Sequence, residues 1–213
     1  MSPSAIIILT LILTAQAQAQ TLIVGILGGW QKYDAPQRGV RKLALRLRDL
    51  KLPGVAIETF ENHHRELALE AVKKWRAESS GNRRLIVYGQ SFGGAAAVKL
   101  DRELGTLGIP VALSVHIDSV GANDSTIPGN VAAAVNYFER EGWPIRGQKR
   151  ITAADPARTA ILGNYEYRYR GKQIDESGEN WASRVFFGTH LKMEDDPALW
   201  SEVEKLIVEY AAR

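Results

Sequence analysis

A serine with glycine two residues to either side, Gly89-Gln90-Ser91-Phe92-Gly93, is the segment of this 213-residue sequence with the most definite chemical content. A serine hydroxyl attacks a carbonyl readily only when it projects into a cleft and a base accepts its proton. A sharp strand-to-helix turn provides the projection, and it crowds the backbone two residues before and after the serine, so both positions must be glycine. Gly89 and Gly93 meet that requirement. The Phe92 N–H, opening the next helix, would then face the oxyanion formed during attack. A second donor is expected from Gly28-Gly29-Trp30-Gln31, with Gly29 or Trp30 favoured over Gln31, because glycines there let a backbone N–H face the cleft.

The base must be one of four histidines. His190 lies in Phe186-Phe187-Gly188-Thr189-His190, just ahead of a C-terminal helical segment. An imidazole with an ordinary pKa near 6.5 can take the serine proton and return it to a leaving group. His116 falls inside an expected strand and reads as a structural neighbour of the site. His63 and His64 precede the serine in the chain. With Glu61 and Glu66 they raise the question of a metal site, which is set aside because neighbouring side chains do not converge well on one ion. For the acid, Asp118 ends the strand that follows the nucleophile strand, where a carboxylate can accept the imidazole N–H and hold its tautomer. Asp124 and Asp155 are the alternatives. No cofactor is expected. Gly25-Ile26-Leu27-Gly28-Gly29 lacks the spacing of a dinucleotide fingerprint, and its first glycine falls inside a strand.

The elements that must position these groups are legible as apolar runs of strand length alternating with stretches of helical period, the rhythm of a parallel α/β sheet. Strands are expected at Thr21 to Leu27, Val55 to Phe60, Arg84 to Tyr88 and Val111 to Ile117. Helices are expected at Gln37 to Leu50, Arg65 to Glu78, Ala95 to Leu104 and Pro197 to Ala212, the last capped by Asp195 or Asp196. A short helix is expected over Asn130 to Arg140, then loops and irregular strands to Trp181. Tyr165, Tyr167 and Tyr169 alternate as one face of a strand does.

Residues 1–19 carry no charged side chain and include an apolar run too short to span a bilayer as a helix. Small residues at Ala17 and Ala19 predict a signal peptide cleaved after Ala19, hence export to the periplasm or medium, no membrane span afterwards and a single domain over 20–213. The chain has no cysteine, which excludes disulfides, a thiol nucleophile and thiolate metal sites. A net charge of +3, from 27 basic and 24 acidic residues, is too small for a nucleic-acid footprint.

On these residues the sequence resembles the α/β-hydrolase superfamily of esterases, lipases and thioesterases, from about Leu22 to the C-terminus. The resemblance implies a three-layer sandwich with a mostly parallel sheet and the chain order nucleophile, acid, histidine, filled here by Ser91, Asp118 and His190. It implies hydrolysis of a carboxylic ester, a lipid-like ester or a thioester through a serine acyl-enzyme. It also implies that 121–182 forms a cap or pocket wall, with Tyr137, Phe138, Trp143, Tyr165, Tyr167, Tyr169 and Trp181 as its aromatic supply, although the same rings would serve equally as core. Two rivals stay open: an acyltransferase using the same nucleophile, and a non-catalytic binding protein on this fold.

Overall fold

The computed structural model describes residues 20–79, 81–142, 146–175 and 188–213. The expected leader, and Trp143 and Trp181 of the expected aromatic wall, lie outside the described residues. Strand β1 (Thr21–Leu27) is buried along its whole length, as a continuous apolar run should be when helices cover both faces of a sheet. Beside it run β2 (Val55–Glu61) and β3 (Arg84–Gln90), and the sheet continues through β4 (Leu113–Ile117), β6 (Ala133–Glu139) and β8 (Ala160–Tyr167). The six strands lie in the order β2-β1-β3-β4-β6-β8 and every pairing is parallel. Two-residue strands β5 (Thr126–Ile127) and β7 (Thr152–Ala153) pair separately.

Alternation along β1 feeds two cores. Ile23 and Leu27 pack with Val40, Leu43 and Leu47 of helix α1 (Gly39–Asp49) and with Leu199, Val203 and Ile207 of the C-terminal helix. Leu22, Val24 and Ile26 face Ala68 and Val72 of α2 (Arg65–Glu78) and Val98, Leu100 and Leu104 of α3 (Phe92–Thr106). Helices therefore cover both faces, and the order reverses between β1 and β3, where α/β sheets open a crevice at the carboxyl ends of their strands. The chain ends in α4 (Thr189–Asp195) and α5 (Pro197–Ala212). Asp196, not Asp195, caps α5, accepting the N–H of Ala198 at 2.9 Å and of Leu199 at 3.4 Å.

The expected helix over Asn130 to Arg140 is instead strand β6. All seven of its residues are buried, between β4 (His116 beside Asn136) and β8 (Tyr137 beside Tyr165). A strand covered on both faces loses the alternation that distinguishes it from a helix, and the alanines at 132–134 imitate helical composition. The aromatic supply goes to this end of the sheet. Tyr137 stacks on Tyr165 at 5.6 Å, and buried Tyr169 donates its hydroxyl to Asp196 Oδ2 at 2.9 Å. Among the described residues, Tyr137, Tyr167 and Tyr169 pack toward α5, with the Tyr167 hydroxyl donating to Glu202 Oε2 at 2.7 Å.

Candidate active site

Strand β3 runs directly into α3 through Ser91, which takes φ 55° and ψ −127°, a left-handed conformation costly for a residue with a Cβ. The turn is tight enough that a Cβ on Gly89 would collide with the Gly93 carbonyl, and one on Gly93 with the Ile26 carbonyl. The Ser91 N–H donates to the Ile117 carbonyl at 2.9 Å, which ties the turn to the end of β4. One residue further, Asp118 has φ 45°, tolerated better by Asp and Asn than by most residues, and its N–H donates to the Tyr137 carbonyl at 2.7 Å.

These anchors bring three side chains into one hydrogen-bonded chain. Ser91 Oγ lies 3.0 Å from His190 Nε2, and His190 Nδ1 lies 2.5 Å from Asp118 Oδ2. Asp118 is wholly buried, and its Oδ1 accepts the Glu139 N–H at 3.1 Å. Burial disfavours the imidazolium of His190, but the hydrogen bond and charge of Asp118, with Glu194 and Glu139 behind them, outweigh it and raise its pKa above the ordinary value. His190 stands in the first turn of α4, not in a loop.

The other acid candidates are placed elsewhere. Asp124 accepts the Ser119 hydroxyl at 2.6 Å and Gln148 Nε2 at 2.8 Å, and Asp155 accepts the Ala157 N–H in a turn at 3.0 Å. His116 is fully buried, with Nε2 3.0 Å from Ser114 Oγ, and burial pushes its pKa down to about 4, so it stays neutral as a structural residue.

Ser91 and His190 open on a cleft of about 730 Å³ whose described walls are 28–32, 34–38, 90–92, 190, 191 and 194. Phe92 begins α3, so its N–H has no partner within the helix. Gly28 backs the serine so closely that a Cβ there would lie 2.9 Å from Ser91 Cβ. Gly29 takes φ 56°, and Trp30 is almost fully exposed at the rim. The Gln31 N–H donates to the Gly28 carbonyl at 3.3 Å, which leaves Gly29 and Trp30 as the donors on offer from this loop.

Sequence reasoning missed three residues that hold these parts in place. Asn62 Nδ2 donates to the Leu27 carbonyl at 3.1 Å and to the Gly29 carbonyl, clasping the loop after β1. Glu139 Oε2 accepts Thr189 Oγ1 at 2.7 Å, linking the strand beside Asp118 to the helix of His190. Buried Glu194 accepts Gln31 Nε2 at 3.2 Å and Arg38 Nη1 at 3.4 Å. An isolated Asn or Glu carries no motif; burial singles out Glu139 and Glu194, and the contacts of its amide single out Asn62. Glu61, His63 and His64 do converge, contrary to the expectation for neighbours, their ligand atoms lying within 4.8 Å of one another.

No protein-family model and no curated protein sequence matches the chain. Solved structures do. A cutinase-like protein from Cryptococcus sp. aligns over 92% of this chain and 97% of its own, with 14% identity and a TM-score of 0.54. Weaker matches include the RedJ thioesterase of prodiginine biosynthesis in Streptomyces coelicolor, with 11% identity, coverage of 88% and 86% and a TM-score of 0.46. An α/β-hydrolase superfamily protein from Enterococcus faecalis has 12% identity, coverage of 94% and 93% and a TM-score of 0.45. With its parallel six-stranded sheet, a helix layer on each face and a serine turn at the end of its third strand, this chain is built on the α/β-hydrolase fold.

Proposed function

We propose that the chain is a serine hydrolase of carboxylic esters or thioesters. The reading is carried by one observation: Ser91 Oγ, 3.0 Å from His190 Nε2, opens on a cleft while His190 is backed by buried Asp118. In this reading His190 takes the hydroxyl proton as Ser91 forms a bond to the carbonyl carbon. Phe92 N–H and the N–H of Gly29 or Trp30 hold the resulting oxyanion. The same proton passes to the departing alcohol or thiol as the acyl–heteroatom bond breaks, leaving an acyl-Ser91. Water, deprotonated by His190, then releases the acid. Asp118 holds His190 with its proton on Nδ1 and stabilises the imidazolium. The wall supports an ester with both apolar and polar parts, because Ala35, Pro36, Phe92 and Leu191 share it with Gln31, Lys32 and Arg38. Export through a leader over 1–19 belongs to the same proposal and rests on the sequence alone.

The test is labelling of purified protein by a fluorophosphonate, beside Ser91→Ala and His190→Ala. Labelling of the wild type alone supports the reading. A folded wild type that stays unlabelled overturns it in favour of a non-catalytic binding protein, and a Ser91→Ala variant that labels equally overturns Ser91 as the nucleophile. Acyl transfer shares the intermediate and is distinguished by ester rather than free acid as product when an acceptor alcohol is supplied.

A further inference from the structure

Two histidines have no part in the chemistry proposed above, and they lie beside the loop that chemistry needs. Strand β2 ends at Glu61 and passes into a single 3-10 turn, Asn62–His64, ahead of α2. Such a turn eclipses residues three apart, so His64 swings back over Glu61 and His63 closes the third side. His63 Nε2 lies 2.8 Å, and His64 Nε2 4.0 Å, from Glu61 Oε2. A tetrahedral ion with bonds of about 2.0–2.1 Å keeps its ligands about 3.4 Å apart, midway between these values. The rings are 32% and 52% exposed, so small rotations can make that adjustment.

Each outer contact aims a ligand atom inward. The Tyr33 N–H donates to Glu61 Oε1 at 3.2 Å, leaving Oε2 for the centre. His64 Nδ1 lies 3.2 Å from Glu66 Oε1, a carboxylate oxygen that accepts, so an imidazole carrying its proton on Nδ1 presents the Nε2 lone pair toward Glu61. The Trp30 ring packs against His63 at 5.4 Å. Glu61 and His64 also border a second cleft of about 610 Å³, which gives a water access to a fourth position.

We propose that Glu61, His63 and His64 form a binding site for a divalent transition-metal ion of the zinc type, completed by water. Two imidazoles and a carboxylate suit zinc or cobalt(II) and not calcium or magnesium, which prefer all-oxygen sets. The ion braces the oxyanion loop, because Asn62, between its ligands, clasps the Leu27 and Gly29 carbonyls. The proposal stands whether or not Ser91 is a nucleophile.

Chelator-treated protein is titrated with zinc by calorimetry and with cobalt(II) by visible absorption. One zinc per chain is expected, with the intense d–d bands of a low-coordinate cobalt site. Both should be lost in the His63→Ala/His64→Ala variant, with circular dichroism unchanged, and Glu66→Ala should weaken zinc binding by about tenfold or more. His190→Ala should bind as the wild type does. Absence of saturable binding to the wild type overturns the proposal. So does saturable binding that survives in the His63→Ala/His64→Ala variant, whatever happens in His190→Ala.

Discussion

Replacing Asp118 by Asn should leave the fold intact and nearly abolish turnover, for reasons that follow from its two contacts. Asp118 Oδ1 accepts the Glu139 backbone N–H at 3.1 Å, and an amide can meet that donor only with its oxygen. The amide NH₂ then occupies the position of Oδ2 and points at His190 Nδ1, now 2.5 Å from a carboxylate oxygen. A donor there forces Nδ1 to accept and moves the imidazole proton to Nε2. Nε2 faces Ser91 Oγ at 3.0 Å and in that tautomer donates to the hydroxyl instead of removing its proton. Loss of the correct tautomer in serine proteases lowers kcat by about 10⁴, equivalent to about 5.4 kcal/mol of transition-state stabilisation. The backbone should tolerate the change, since φ is 45° and Asn occupies the left-handed region as readily as Asp. The assay is kcat for hydrolysis of a p-nitrophenyl ester together with the rate of fluorophosphonate labelling. Thermal unfolding serves as the control for folding. A fall of less than about tenfold, in a variant that melts with the wild type, would refute the reasoning, because general-base catalysis contributes more than that.

Four further outcomes are expected. Because Asp118 raises the pKa of His190, the acid limb of kcat/KM should fall at a pH above the ordinary histidine value near 6.5; a limb below it would contradict the placement. The same raised pKa means that ionised His190 adds stability that is complete below the unfolded-state value and fades as pH rises through the folded one, which urea unfolding across that range will show. Asp124→Asn turns an acceptor of two donors into a mixed group, so stability should drop by about 1–3 kcal/mol by urea unfolding while kcat is retained. Asn62→Ala frees the loop after β1 and should lower kcat by about tenfold or more with unchanged circular dichroism, since small misplacements of a catalytic donor are costly.

What could be read from the sequence tracks how local its cause is. Strand β1, helix α2 and α5 begin and end where apolar period and capping place them, at Thr21–Leu27, Arg65–Glu78 and Pro197–Ala212. The serine turn is equally local, because the steric demand on Gly89 and Gly93 is written in five consecutive residues. Asp118 and His190 are reachable by their positions at a strand end and ahead of a helix, and the structure sets Asp118 against His190 and His190 against Ser91. β6 was not reachable, since pairing on both sides with β4 and β8 decides its conformation and those partners are distant in sequence. The choice between wall and core for the aromatic residues is open in the sequence for the same reason: Tyr137 meets Tyr165 only because β6 and β8 are neighbours. Glu61, His63 and His64 depended on a 3-10 turn, where a strand or helix period would have separated them.

The carboxylate of Glu194 has a consequence for how such a protein loses activity. It lies four residues after His190 on the same short helix, and it is held by Gln31 and Arg38 from the segment that carries Gly29 and Trp30. Its backbone carbonyl accepts Trp200 Nε1 at 2.6 Å, which secures the junction to the C-terminal helix. The proposed base and the proposed oxyanion donors, more than 150 residues apart in the chain, are therefore latched at one point. A partial opening that releases this latch disengages both together, so inactivation in mild denaturant should be one cooperative step preceding the unfolding of the sheet. Amide exchange around Gln31 and around His190 should then accelerate in parallel, as a single unit within an otherwise protected domain.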